Sequence, residues 1–154
     1  MRWHLKSFDQ LTNREIYKIM QLRVDIFVVE QDCAYSDLDD KDLDENALHL
    51  FAKEGDKISC YLRILPPGSG YPEMPSLGRV ATQKKQRGTG IGHALIIRAN
   101  QTLDELWPNT KCHLSAQSHL QAFYAQHGYK TVGEGYLEDG IPHIGMERSA
   151  ANDR

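Results

Sequence analysis

Three glycines in five residues, Gly88, Gly90 and Gly92, mark the stretch of this 154-residue chain with the clearest capacity for chemistry. An apolar strand pattern at residues 77–82 precedes them, and a long helical pattern follows them. Glycine permits positive φ and a close approach of the backbone to a ligand. The first N–H groups of a helix lack helical partners and carry the positive end of its dipole, so this turn can bind phosphate. The basic residues just before the turn are Lys84, Lys85 and Arg87.

The glycine spacing excludes two common phosphate-binding turns. The dinucleotide fingerprint Gly-x-Gly-x-x-Gly would need a glycine where the chain has His93, and the Gly-Lys-Ser/Thr of the nucleoside-triphosphate loop is absent. The chain instead reads Arg-x-x-Gly-x-Gly over residues 87–92. The alternative is a tight connection between strand and helix that binds no ligand.

The rest of the chain predicts the elements that position this turn. Thr12 followed by Glu15 indicates a helix start, and apolar residues then recur at helical spacing to about Val29. The predicted order is strand, helix, polar connection, three strands, helix, strand, helix and two strands. This order indicates one α/β domain over residues 1–149 with a mixed sheet, and a flexible tail over residues 150–154.

The motif at 87–92 resembles the coenzyme A pyrophosphate loop of the GNAT superfamily of N-acetyltransferases, and the element order resembles the fold of that superfamily over nearly the whole chain. A second landmark is the aromatic-rich segment 122–129, which ends in Gly-Tyr. Segments 21–31 and 138–146 resemble the ElaA-type branch. One departure is Gln117-Ser118, where many GNAT proteins carry asparagine.

The resemblance implies a single GNAT-like domain, with a mixed, mostly antiparallel sheet flanked by helices, that transfers an acetyl group from acetyl-CoA to a primary amine of a small molecule or peptide. Tyr124 matches the tyrosine that protonates the leaving thiolate in many GNAT proteins. The alternative is a module that senses a CoA ligand or binds a partner with little turnover. The implied CoA site consists of Val80, Ala81, Thr82, Arg87, Gly88, Thr89, Gly90, Ile91, Gly92 and His93.

Two residues are candidates for the base that deprotonates the amine. Glu30 follows the apolar end of the first helix, and its alternative role is that of an exposed helix-terminal glutamate. His143 follows Pro142 at the start of a strand, and its alternative role is to hold the last hairpin. The connection 31–45 is rich in aspartate and is either a solvated loop or an electrostatic attraction for a cationic acceptor.

Composition excludes several other classes of protein. The net charge of −3 argues against a broad nucleic-acid interface, and no apolar run approaches the length of a membrane span. The three cysteines form no Cys-x-x-Cys pair, which favours a reduced, cytoplasmic protein, and the histidines show no metal-site spacing. The sequence leaves a homodimer open.

Overall fold

The computed structural model describes residues 1–154 and contains one seven-stranded sheet in the order β1-β2-β3-β4-β5-β7-β6. Neighbouring strands are antiparallel except β4 and β5, which are parallel. This is the mixed, mostly antiparallel sheet that the sequence predicts. The strands are β1 (Arg2–Lys6), β2 (Leu48–Glu54), β3 (Lys57–Leu65), β4 (Ser76–Thr82), β5 (Cys112–Gln117), β6 (Tyr129–Glu138) and β7 (Ile141–Arg148).

Three α-helices flank the sheet: α1 (Asn13–Arg23), α2 (Ile91–Leu106) and α3 (Gln121–Ala125). The predicted start of α1 is confirmed, because Thr12 accepts from the Glu15 N–H and Glu15 accepts from the Thr12 N–H. The chain continues from α1 into a π-helix, Val24–Glu30. Extra residues of this kind inside helices are frequent at functional sites.

The side chains of the sheet alternate between two cores, as the pleat requires. One core lies under α2 and α3 and includes Leu62, Leu95 and Leu114. The other lies under α1 and includes Phe51 and Tyr61. The neighbouring face of β5, β7 and β6, on the α1 side, has polar side chains instead, so this part of the sheet borders a cleft.

The strands β4 and β5 pair at a single position, Ser76↔His113, and then separate. The β3–β4 register also shifts, from Tyr61↔Ala81 to Arg63↔Gly78, which places one extra residue in β4. Arg79 lies in this bulge with φ of 52°, a left-handed conformation that is uncommon for a residue with a side chain. The gap between the two strands opens at the bulge.

The acidic connection is not a solvated loop along its whole length. Asp42 and Asp37 are 4% and 5% exposed, and both bind the fully buried Arg23. Arg63 binds Asp42 and Asp39. Buried carboxylates require such partners, so these aspartates neutralise arginines of the fold and do not present free negative charge to an acceptor.

The last five residues also differ from the predicted flexible tail. Ala150 is buried, and residues 151–153 form a short 3₁₀ turn. The N–H of Asn152 donates to Pro108 O at 3.1 Å, and Arg154 binds Asp104 at 2.8 Å. None of the helices has the length and apolarity of a membrane span.

Candidate functional site

One large cleft, of about 1560 Å³, crosses the sheet where β4 and β5 separate. Its glycine-turn half is formed by β4 and the turn 87–93. Its hairpin half is formed by the connection 31–41, by β5 and by the β6–β7 hairpin. Because a gap in the sheet joins the two halves, a ligand seated on the turn can meet a second ligand that approaches from the hairpin.

The glycine turn has the backbone geometry that the sequence predicts. Gly88 and Gly90 have φ of +80° and +85°, and a Cβ at either position would meet nothing within 4 Å. The open space beside both residues leaves room for an anion. Ala94 N–H makes the first helical hydrogen bond of α2, to Gly90 O at 3.1 Å. The N–H groups of residues 91–93 therefore precede the helical ladder, and the dipole of α2 adds positive potential there.

Arg87 and Glu30 lie together at the mouth of the glycine-turn half. The Arg87 guanidinium donates to Glu30 Oε1 and Oε2 at 2.5 and 2.7 Å. These hydrogen bonds lower the pKa of Glu30, and the positive charges of Arg87 and Lys84 add to the decrease, against a smaller upward effect of burial. The sequence assigned the two residues to separate roles, a cofactor contact and a base, and the structure joins them as an ion pair.

His93 has a side-chain environment of its own. Its Nδ1 lies 2.8 Å from His127 Nε2, and its ring packs against Phe123 with centroids 4.8 Å apart. The His93 side chain therefore anchors α3 to the start of α2. His93 contributes to the glycine turn through its backbone N–H, one of the three that precede the helical ladder of α2.

The strand β4 provides the wall along which the two halves meet. Beyond Ser76 its edge has no strand partner on the β5 side, so backbone groups of Val80 and Thr82 border the gap. The Ala81 side chain is buried under α1, and this residue contributes its backbone to the cleft wall. A bulged strand edge can offer N–H and C=O groups to an extended ligand.

Tyr124 lies in α3 and lines the cleft next to the glycine turn. The residue is 5% exposed, and its hydroxyl makes no hydrogen bond with another part of the protein. Burial raises the pKa of Tyr124 well above its ordinary value. The hydroxyl oxygen is not itself one of the sealed polar atoms that lack a partner, so it opens to the cleft and is available to a group that enters there.

His143 is held in one orientation in the hairpin half. It is 7% exposed, and its Nδ1 lies 2.7 Å from the carbonyl oxygen of Ile141. A carbonyl can only accept, so Nδ1 carries a hydrogen and Nε2 faces Glu138, with Oε2 at 3.4 Å. His143 thereby also holds the β6–β7 hairpin, which is the alternative role that the sequence left open.

The connection 31–45 closes over the hairpin half at two points. Gln117 donates to Gln31 at 3.2 Å, and the Cys33 thiol lies 3.5 Å from Asp139 O. Gln117 occupies the position where the sequence departs from the GNAT pattern, and here it ties β5 to the end of the π-helix. No group of three or more His, Cys, Asp or Glu side chains has a metal-binding arrangement.

Sequence reasoning missed two residues of the cleft, Arg79 and Glu138. Arg79 donates to Asp37 O at 2.8 Å and to Asp39 Oδ2 at 3.3 Å, and it lies over the ring of Tyr35. The register shift that places it there depends on strand pairing and has no local signal. From the sequence alone Glu138 has no site role, and its position at the end of β6 brings it to the cleft.

Known proteins share this arrangement. Residues 21–150 match the family described as acetyltransferase (GNAT) domain. The chain is 38% identical over 148 residues to the protein ElaA of Escherichia coli K12, covering 96% of each chain. The crystal structure of Escherichia coli ElaA superimposes with a TM-score of 0.90 at 37% identity, over 97% of this chain and all of that one.

A solved acyl-CoA N-acyltransferase from Pseudomonas aeruginosa is 43% identical, with a TM-score of 0.91 over 97% of this chain and 100% of that chain. An aminoglycoside 6′-N-acetyltransferase solved with coenzyme A shares the fold at 15% identity and a TM-score of 0.69, over 94% of this chain and 96% of that one. The chain belongs to the GNAT acetyltransferase family, and its similarity to ElaA covers nearly its whole length.

Proposed function

We propose that this protein transfers an acetyl group from acetyl-CoA to a primary amine by direct attack in a ternary complex. The observation that carries the proposal is the Tyr124 hydroxyl, which belongs to a largely buried side chain, has no hydrogen-bond partner in the protein and opens to the same cleft as the glycine turn. A thioester is already activated, so the protein mainly has to align it with the amine and move protons.

The glycine turn fits the pyrophosphate of acetyl-CoA. Open space lies beside Gly88 and Gly90, and the N–H groups of residues 91–93 lack helical partners. Arg87, Lys84 and Lys85 supply positive charge nearby. The remaining residues of the proposed site are Val80, Ala81, Thr82, Thr89, Ile91, Gly92 and His93.

The pantetheine arm would lie along β4, where backbone groups border the gap. The thioester oxygen needs a donor where negative charge develops, and an N–H near the bulge at Arg79 can supply it. Tyr124 would then protonate the departing thiolate. Because burial raises the pKa of Tyr124, its O–H form persists to high pH.

Of the two candidate bases, His143 has the better placed atom to accept a proton. Its Nδ1 is occupied by Ile141 O, which leaves Nε2 to accept a proton. Glu30 has both carboxylate oxygens engaged by Arg87 and a lowered pKa, which weakens it as a base. We therefore assign the base role to His143 and regard Glu30 as an ion-pair partner of Arg87 that competes with CoA for the guanidinium.

The test combines two measurements on the same protein. Calorimetric titration with CoA reports cofactor binding, and release of free thiol from acetyl-CoA reports turnover with polyamines, amino sugars, aminoglycosides and peptide N-termini. The proposal predicts micromolar CoA binding and amine-dependent thiol release. CoA binding without turnover on any amine would favour the alternative of a CoA-sensing module, and absence of CoA binding would refute both.

A further inference from the structure

The Glu138 carboxylate and the His143 imidazole face each other across a gap that lacks a donor. Glu138 Oε2 lies 3.4 Å from His143 Nε2. Because Nδ1 donates to Ile141 O at 2.7 Å, the neutral imidazole presents a lone pair at Nε2. Two acceptors at this distance are stabilised when a proton or an N–H group enters between them.

Two hydroxyl groups lie beside the same point. The Ser115 hydroxyl donates to Glu138 Oε1 at 3.5 Å and is also hydrogen-bonded to the Tyr136 hydroxyl, which leaves Glu138 Oε2 to face His143. The Tyr136 ring stacks on His143 with centroids 6.3 Å apart and an interplanar angle of 20°. These side chains come from three adjacent strands, and they project from the sheet face that α1 leaves uncovered. A ligand with several N–H donors and a positive charge fits such a set.

Of the four carboxylates that line the cleft, Glu138 and Asp139 have no Lys or Arg partner within 4.0 Å, and Glu138 is the one that lies against His143. Glu30 is bound by Arg87, and Asp39 is bound by Arg63 and Arg79. Glu138 has no Lys or Arg nitrogen within 4.0 Å, and its side chain is half exposed toward the cleft. Its negative charge is therefore available to a ligand, unlike the carboxylates of the acidic connection.

We propose that Glu138, with His143 and Ser115, forms the subsite for the ammonium group of the acceptor, so that the substrate class is a primary alkylammonium ion. The inference rests on the proposed function, and it adds a specificity-determining residue. The ammonium donates one N–H to Glu138 and one to His143 Nε2. A neutral alcohol cannot donate to both and carries no charge for Glu138, and an arylamine is not protonated at neutral pH.

The proton balance of the transfer follows from this placement. The ammonium gives one proton to His143 Nε2 and becomes a free amine. Its lone pair forms the C–N bond, the C–S bond breaks, and the electron pair leaves with sulfur, which takes the proton of Tyr124. The second proton of the nitrogen restores the Tyr124 hydroxyl. Ammonium and thioester thus become amide and thiol, and one proton leaves from His143.

Binding of n-butylammonium chloride tests the subsite without turnover. The ring ¹⁵N signals of His143 are followed by NMR during the titration, with and without CoA, and n-butanol is the neutral control probe. We expect a saturable shift with the ammonium and none with the alcohol. Glu138→Gln should weaken ammonium binding about tenfold or more. Glu134→Gln, an exposed residue of the same strand that lies outside the cleft, should leave it unchanged.

Equal ammonium affinity in Glu138→Gln and Glu134→Gln would overturn the inference, as would the absence of saturable binding to the wild-type protein. CoA affinity measured on the same samples shows whether each variant is folded. The same measurement separates the two proposals. A wild-type protein that does not bind CoA would contradict acetyl transfer, whereas the ammonium titration tests only the subsite formed by Glu138 and His143.

Kinetics with n-butylamine give a second readout that a purely structural role would not produce. Glu138→Gln should raise the amine KM about tenfold with a smaller effect on kcat, because it removes ground-state attraction. His143→Gln should lower kcat by about a hundredfold, in the range of general base catalysis. A Glu138→Gln variant with an unchanged amine KM would contradict the subsite.

Discussion

The glycine-turn half and the hairpin half of the cleft differ in whether backbone groups or side chains line them. The glycine-turn half is mainly backbone: the positive-φ residues Gly88 and Gly90, the free N–H groups at the start of α2, and the unpaired edge of β4. The hairpin half is made of side chains from the connection 31–41, from β5 and from the β6–β7 hairpin. Ion pairs and hydrogen bonds between distant residues hold these side chains in place.

The difference suggests how one fold can keep a shared cofactor and vary its acceptor. Backbone groups keep their positions when side chains change, so a turn of this kind needs only a few glycines and one helix start. Side chains in the hairpin half can be exchanged without altering the turn. The buried pairs formed by Arg23 and Arg63 with the acidic connection provide the rigid wall against which such changes occur.

The largest effect should be a loss of stability when a carboxylate is removed from the buried ion pairs of this wall. Asp42→Asn removes the carboxylate that the buried Arg23 and Arg63 share and leaves each arginine with a single carboxylate partner, Asp37 or Asp39. Loss of one member of a buried ion pair costs about 3–5 kcal/mol of the free energy of unfolding, and the remaining partners reduce that cost. Chemical denaturation measures this difference. The matched control is Asp40→Asn, an exposed residue two positions earlier. If both variants were equally stable, the acidic connection would not support the hairpin half.

Gly90→Val should disable the glycine-turn half. Valine is strained at φ of +85° and its side chain occupies the space proposed for phosphate, so several charged hydrogen bonds are lost and CoA affinity should fall about a thousandfold. Gly55→Val is the control, because Gly55 also has positive φ and open surroundings, in the β2–β3 hairpin away from the cleft. Calorimetry that found similar CoA affinities for the two variants would remove the proposed site.

Tyr124→Phe tests whether the tyrosine between the two halves protonates the departing thiolate. The change removes one oxygen, and we expect kcat to fall roughly ten- to a thousandfold with little change in CoA affinity. The wild-type kcat should not decline through loss of the tyrosine proton up to about pH 10, because burial raises the pKa of Tyr124 above that ordinary value. Tyr17→Phe, on the exposed surface of α1, is the control. Full kcat in Tyr124→Phe would assign thiolate protonation to water.

Glu30→Gln should have the smallest effect, and it distinguishes an ion-pair partner that competes with CoA for Arg87 from a base. Loss of the carboxylate frees Arg87 and removes a negative charge from the mouth, so CoA should bind about threefold more tightly. The kcat should change less than tenfold, because His143 is the proposed base. A fall in kcat of a hundredfold or more at unchanged CoA affinity would instead make Glu30 the base. Glu54→Gln, at the exposed end of β2, is the matched control.

The sequence by itself determined the element order, the start of α1 at Thr12 and the glycine turn at 87–93. Each of these depends on residues that are neighbours in the chain: a capping box spans four residues, and the Arg-x-x-Gly-x-Gly motif spans six. Local steric and hydrogen-bonding preferences therefore make such features readable, and the resemblance that rests on them was confirmed by the family match.

Only the tertiary structure decided which charges pair around the cleft and which side chains form the hairpin half. Arg87 reaches Glu30 across 57 residues, and Arg63 reaches Asp39 across 24, so neither pairing has a local signal. The aspartates that appeared to be solvated are buried because arginines from α1, β3 and β4 meet there. Glu138 faces His143 because β6 and β7 pair in a particular register. Burial and strand register depend on the whole fold, and they determine which charges remain free to meet a substrate.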